Sequence, residues 1–228
     1  MTTGTVKRVD ADIQLDVLAE LAWDRRVQPN EIGVVVTDGV VTLTGWVDSY
    51  LKRWAAAEAA HRVPGVTAVA NDIEVRLPSY LQRTDAELAE EVVQALQRDA
   101  VVPLEDVKVT VSHGKVTLRG QLDWGHQKDD AERAVRRLAG IRAVSNELTI
   151  KAHSGPAPDE LKKQIEDALL RSAATDAERI TVEVRGDHLT LMGTVHSFAE
   201  KRAAERVAWS APGIATVENL ISVNSFID

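Results

Sequence analysis

The chain contains no cysteine, which removes disulfide bridges, thiolate nucleophiles and cysteine-ligated metals at once. Aromatic residues are scarce, 4% of 228 residues, so the five tryptophans stand out against an aliphatic background. Basic residues are in deficit: 27 Lys and Arg against 35 Asp and Glu leave a formal net charge of −8. A surface that tracks nucleic-acid phosphates needs clustered positive charge, so nucleic acid is not expected as a partner. No run approaches the roughly 18 apolar residues of a membrane span. The segment Met1–Asp10 lacks the apolar stretch of a secretory signal. On that ground the expected compartment is the cytoplasm, with the periplasm as the alternative for a processed form.

Catalytic constellations are missing too. None of His61, His113, His126, His153, His188 and His196 falls at equivalent places of the internal repeat described below, and none forms an H-x-x-x-H or H-E-x-x-H pair. Surface positions are expected for them. Carboxylate pairs such as Glu90-Glu91 and Asp129-Asp130 fall on the polar sides of helices. No phosphate-cradling glycine loop or nucleophile elbow is present. The expectation is a protein that is not an enzyme and holds no cofactor and no metal.

What is present is one motif written three times. Gly45, Gly120 and Gly193 sit in Val41-Thr-Leu-Thr-Gly45-Trp-Val47, Val116-Thr-Leu-Arg-Gly120-Gln-Leu122 and Leu189-Thr-Leu-Met-Gly193-Thr-Val195, at offsets of 75 and 73. The same offsets carry Gly65 to Gly140 and Gly213, Asn71 to Asn146 and Asn219, and Ile13 to Leu88 and Leu161. The chain therefore divides into three units, over residues 9–77, 84–152 and 158–226. A unit of that size buries only about 60% of its unfolded surface and is marginal alone. Docking between copies, or between chains, is expected to support it.

Each unit opens with a helix whose apolar stripe recurs at spacing four: Ile13, Val17, Leu21; Leu88, Val92, Leu96; Leu161, Ile165, Leu169. Thr84-Asp-Ala-Glu87 has the form of a capping box, and Pro29 and Pro103 mark helix exits. A hairpin follows. Ile32, Val34 and Val36 alternate inward opposite Val41, Leu43, Gly45 and Val47, and Asp38-Gly39 suits a type I′ turn. His113-Gly114 and Gly186-Asp187 stand at the corresponding turns. A second helix starts near Ser49 or Ser197. Its inward row is small (Ala56, Ala59, Ala60), and it ends at left-handed caps Gly65, Gly140 and Gly213. A last strand closes the unit. The predicted fold class is α+β: three tandem αββαβ units, each a three-stranded mixed sheet with two helices on one face and the other face open.

Gly65-Val-Thr-Ala-Val-Ala-Asn71, Gly140-Ile-Arg-Ala-Val-Ser-Asn146 and Gly213-Ile-Ala-Thr-Val-Glu-Asn219, preceded by the alanine-rich helix, resemble the BON domain, in three tandem copies over about four-fifths of the chain. The resemblance implies a non-catalytic binding module, usually for phospholipid membranes, in proteins of osmotic stress. It also implies an alternative, since a potassium-sensing relative carries a BON domain. On that alternative the Gly65–Asn71 turn, and those of Gly140–Asn146 and Gly213–Asn219, offer oxygens to a monovalent cation.

The tryptophans add a surface argument. Overlaying the copies, Trp23 meets Arg98 and Arg171, Trp46 meets Gln121 and Thr194, Trp54 meets Asp129 and Arg202, and Trp209 meets His61 and Arg136. Tryptophan where other copies are polar implies a contact surface. Trp46 shares the open sheet face of the first unit with Val35 and Val40. That face is expected to dock against another copy or a second chain, or else to meet a phospholipid surface or a protein partner. A purely structural, self-assembling protein is the competing reading.

Overall fold

The structure is a computed structural model and describes residues 8–27, 31–99, 101–151, 157–172 and 179–223. Pro29, His153 and most of the second linker lie outside them. The first unit runs α1 (Asp10–Trp23), β1 (Ile32–Thr37), β2 (Val40–Val47), α2 (Tyr50–Arg62), β3 (Ala68–Val75). The second runs α3 (Asp85–Arg98), β4 (Val107–Ser112), β5 (Lys115–Leu122), α4 (Gly125–Arg136), β6 (Ala143–Ile150). The third runs α5 (Pro158–Arg171), β7 (Ile180–Arg185), β8 (His188–Val195), α6 (Phe198–Trp209), β9 (Thr216–Val223).

Each sheet has its second strand in the middle, antiparallel to the first and parallel to the third. The mixed α+β architecture is the one the repeat predicts. Hydrophobic alternation also sets the register, with Val36 opposite Val41 and Val34 opposite Leu43. A slip of one residue would turn Val41, Leu43 and Val47, all fully buried, to the open face. Ala55, Ala56, Ala59 and Ala60 are fully buried under β2 and β3. With side chains no larger than a methyl group, α2 can lie close against the sheet.

Local chemistry starts and stops these elements. Thr84 Oγ1 accepts from the Glu87 N–H while the Glu87 carboxylate accepts from the Thr84 N–H, a complete capping box. Ser49 and Ser197 cap α2 and α6. In the first two hairpins both turn residues are left-handed, Asp38 and Gly39 at φ 50° and 77°, His113 and Gly114 at 52° and 76°. The carboxylates of Asp10 and Asp85 hold these turns by accepting from both of their N–H groups. The third hairpin differs. Proline stands at 158, where the other units place the aspartate, and only Gly186 is left-handed.

The strand glycines have a specific steric cause. Gly120 has φ +148°, and a Cβ placed on it would lie 1.8 Å from the carbonyl oxygen of Asp106. Gly45 and Gly193 are crowded in the same way by Glu31 and Arg179. The close neighbour is therefore the chain leading into the first strand, not a helix. Gly186 is left-handed but open, with nothing near its would-be Cβ. Gly120→Ala should then cost about 2–4 kcal/mol, overpacking plus strain, and Gly186→Ala only about 1 kcal/mol of strain. Urea unfolding of the two variants checks this, and equal costs would refute the steric account.

Candidate functional site

The second helices of the three units meet one another. Their first residues, Tyr50, Gly125 and Phe198, are equivalent in the repeat, as are the residues near their ends, His61, Arg136 and Trp209. Tyr50 packs on the core of the second unit, and the Arg136 guanidinium lies 3.7 Å from the Trp54 ring centroid. Gly125 receives Trp209, whose Cβ would be 2.7 Å from a Cβ at 125. Phe198 stacks on His61 with centroids 4.8 Å apart, and Arg202 pairs with Glu58 beside them. The start of each second helix thus meets the end of the next unit's, from first to second to third and back to first. The result is a closed, head-to-tail ring of three units.

This ring takes up two of the candidate tryptophans. Trp54 is half-buried between Arg26, at 5.5 Å, and Arg136. Trp209 is half-buried against the second unit's core. Charged groups surround a cleft between the helices that includes Asp129, Arg133 and Arg202. Burial, and then Glu132, raises the Asp129 pKa. Burial lowers that of Arg136, opposed by Glu132 and Glu58. His61 departs from its expected place on the surface. It sits in the junction of the first and third units, and its Nδ1 is buried with no hydrogen-bond partner.

The other candidates remain outside the ring. Trp46 is 38% exposed and Val35 57%, with Val40 beside them on the outer sheet face of the first unit. Arg76 lies 5.7 Å from the Trp46 ring centroid and pairs with Glu74 at 2.7 Å. The expectation that this face docks on another copy is corrected within the chain: the copies join through their second helices, because aromatic bulk and the Gly125 gap are matched there. Trp23 is 84% exposed at the end of α1. On the same helix Leu15 and Leu18 are exposed as well. Neither leucine belongs to the inward stripe of Ile13, Val17 and Leu21, and their apolarity outside that stripe is the signal the periodicity reading passed over.

The proposed cation turns come apart in the structure. Gly65, Gly140 and Gly213 are left-handed after their helices, whereas Asn71, Asn146 and Asn219 lie inside β3, β6 and β9. Each asparagine donates its amide to a carbonyl of the second helix, that of Arg53, Lys128 or Lys201. Each amide oxygen accepts an N–H two residues on, from Ile73, Leu148 or Ile221. The asparagines tie helix to sheet, which is how half-buried polar groups are satisfied, and they share no centre with the glycines. Among the described residues no group of three or more His, Asp or Glu is placed to hold a metal ion.

The model of the BON domain family matches residues 9–76, 84–152 and 158–225. The chain belongs to the BON domain family. It is similar to osmotically-inducible protein Y of Escherichia coli (strain K12), 32% identical over 148 residues, which cover 62% of this chain and 73% of that protein. That relative is periplasmic, and the expectation of a cytoplasmic protein is withdrawn. The hydropathy of Met1–Asp10, on which it rested, does not decide a compartment. Among solved structures, two of CdsD of the Chlamydia trachomatis type III secretion system are 12% identical. They cover 96% and 93% of this chain and 100% and 92% of their own, with TM-scores of 0.26 and 0.27.

The half-buried imidazole, with its Nδ1 shut off from water, gives the ring an expected dependence on pH. Burial holds the His61 pKa below its ordinary 6.5, Glu58 opposes that, and Arg202 adds to it. The neutral form is favoured in the folded junction, so its contribution is full above pH 6.5 and is lost as pH falls through the depressed folded-state value. Asp129, with a raised pKa, runs the opposite way and gains as pH falls. Melting temperatures of the native chain and of His61→Phe should therefore diverge from about pH 7 to about pH 5, with the native chain losing more. Parallel profiles would show that His61 does not titrate in the junction.

Proposed function

We propose that the chain is a non-catalytic, stress-related BON protein that recognises a protein surface through the outer sheet face of its first unit. The stress assignment follows its similarity to an osmotically-inducible protein. The recognition surface is carried by one observation: Val35, Val40 and Trp46 stay uncovered after the ring has taken up Trp54 and Trp209. An exposed aromatic within an apolar patch is the usual anchor of an interface. Trp46 keeps 38% of its surface exposed, so covering it removes on the order of 90 Å² from water, about 2 kcal/mol before ordering costs.

Charge selects the class of partner. Asp72 and Glu74 are exposed on β3 beside Thr44 and Trp46, and Arg76 over the Trp46 ring offsets Glu74, so the rim keeps a small net negative charge. Anionic headgroups attract basic surfaces, which makes a protein with an apolar centre and basic rim a better complement than a phospholipid membrane. The potassium reading has no comparable support, because the asparagine amides are spent on the fold.

Trp46→Lys tests the surface without touching the ring. The variant should keep the native melting curve and lose about 2–4 kcal/mol of affinity for a partner captured from periplasmic extract by the native chain. Two results would sink the protein reading. One is a blue shift of tryptophan emission on phosphatidylglycerol vesicles that Trp46→Lys abolishes, which would return the surface to lipid. The other is a dimer in sedimentation that the substitution makes monomeric, which would give it to a second copy.

A further inference from the structure

The second unit carries a feature that the first, built on the same frame, does not. Between the first linker and the second hairpin lies a notch of about 500 Å³ lined by Arg83, Asp85, His113 and Arg142, with Gly114 and Gly140 behind them. In the first unit the positions of Arg83, His113 and Arg142 are held by Arg8, Asp38 and Thr67. Arg8 is bound to the Asp16 carboxylate and to the Pro64 carbonyl. In the third unit the last two positions are Gly186 and Ala215. Convergent positive charge is thus a property of the second copy.

That charge is only partly compensated, by Asp85 within the notch and by Glu91 beside Arg83. Arg142 donates to the Val75 carbonyl at 3.2 Å and has no ion pair among the described residues. Arg83 donates to the carbonyls of Tyr80 and Gln82, at 3.3 and 3.2 Å, and forms a long ion pair with Glu91 at 3.8 Å. Both oxygens of Asp85 are occupied by the hairpin N–H groups of His113 and Gly114, at 2.8 and 2.9 Å. Carbonyl oxygens orient a guanidinium without neutralising it. A second anion would complete the site.

The guanidinium stems are also held in place. A Cβ at Gly140 would lie 3.1 Å from Arg83 Cγ, and one at Gly114 would lie 3.1 Å from Arg142 Cγ and Cδ. The two glycines leave the space along which the stems pack. Ordered stems lose little freedom when a ligand arrives. Two planar forks with an imidazole at hand suit a compact, multiply charged tetrahedral oxyanion better than a single carboxylate. We propose that this notch binds a phosphate-class oxyanion, free or as a terminal phosphomonoester, between the first linker and the second hairpin.

Calorimetric titration of inorganic phosphate into the full chain, in phosphate-free buffer, should show one saturable site. Arg142→Thr should weaken it about tenfold or more, since one charge-assisted pair is lost. The first unit carries threonine at that frame position, so the fold tolerates the change. Arg119→Ala, on the sheet face, should leave binding as it is. Vesicles containing phosphatidate, set against phosphatidylcholine vesicles, are the second probe. Co-sedimentation with phosphatidate alone, lost in Arg142→Thr, would assign the oxyanion to a lipid headgroup. Absence of saturable binding to either probe overturns the proposal, as does binding that Arg142→Thr and Arg83→Gln both leave unchanged.

Discussion

One contact, used three times, carries the arrangement of this molecule: the first turn of a second helix against the last turn of the next unit's. A unit of this size buries only about 60% of its unfolded surface, and the ring supplies apolar contact that a lone unit lacks. The contact tolerates varied chemistry because bulk is balanced across it. Trp54 and Phe198 face the flat groups of Arg136 and His61, while Gly125 leaves room for Trp209. No two of the three pairs are alike, yet each sets an aromatic ring against a flat or small partner.

Since the second helices occupy the middle, the sheets turn their open faces outward and are free to differ. The first presents valines and Trp46, rimmed by Asp72, Glu74 and Arg76. The second presents Lys108, Lys115 and Arg119, the last paired with Glu147. The third is mixed, with Leu220 exposed and His188 near Glu218. The residues that recur three times do frame work: a strand glycine under a carbonyl, a glycine cap, an asparagine between helix and sheet. Those that could distinguish one ligand from another do not recur. Repetition here specifies the fold, and departure from repetition specifies recognition.

That division explains what could be read from the sequence. Strand register, the capping box and the helix stripes were legible because each depends on neighbours a few residues apart. The polarity of equivalent positions singled out Trp54 and Trp209, but not their partners, since Arg136 and Gly125 are distant in sequence and face them only once the ring has closed. His61 was misplaced for the same reason. The exposed Leu15 and Leu18 were passed over because a stripe search rewards the buried face of α1 and ignores its back. Period-two parity places Asn71 on the inward side of the last strand, but not the carbonyl it reaches, because Arg53 lies 18 residues away. The strand begins at Ala68, and the amide reaches the helix above it.

A head-to-tail contact ordinarily invites endless growth, each subunit offering a free end to the next. Here the third unit returns to the first, so no end is left over and the chain cannot polymerise through this surface into a filament. The geometry also fixes the number of copies. Two units could not close the circuit, and a fourth would have to force one of the three contacts apart. An expression product cut after the second unit would accordingly expose Phe198's seat on the first unit and Trp209's seat on the second. Those paired vacancies would make such a fragment prone to aggregate, although each of its folds is intact.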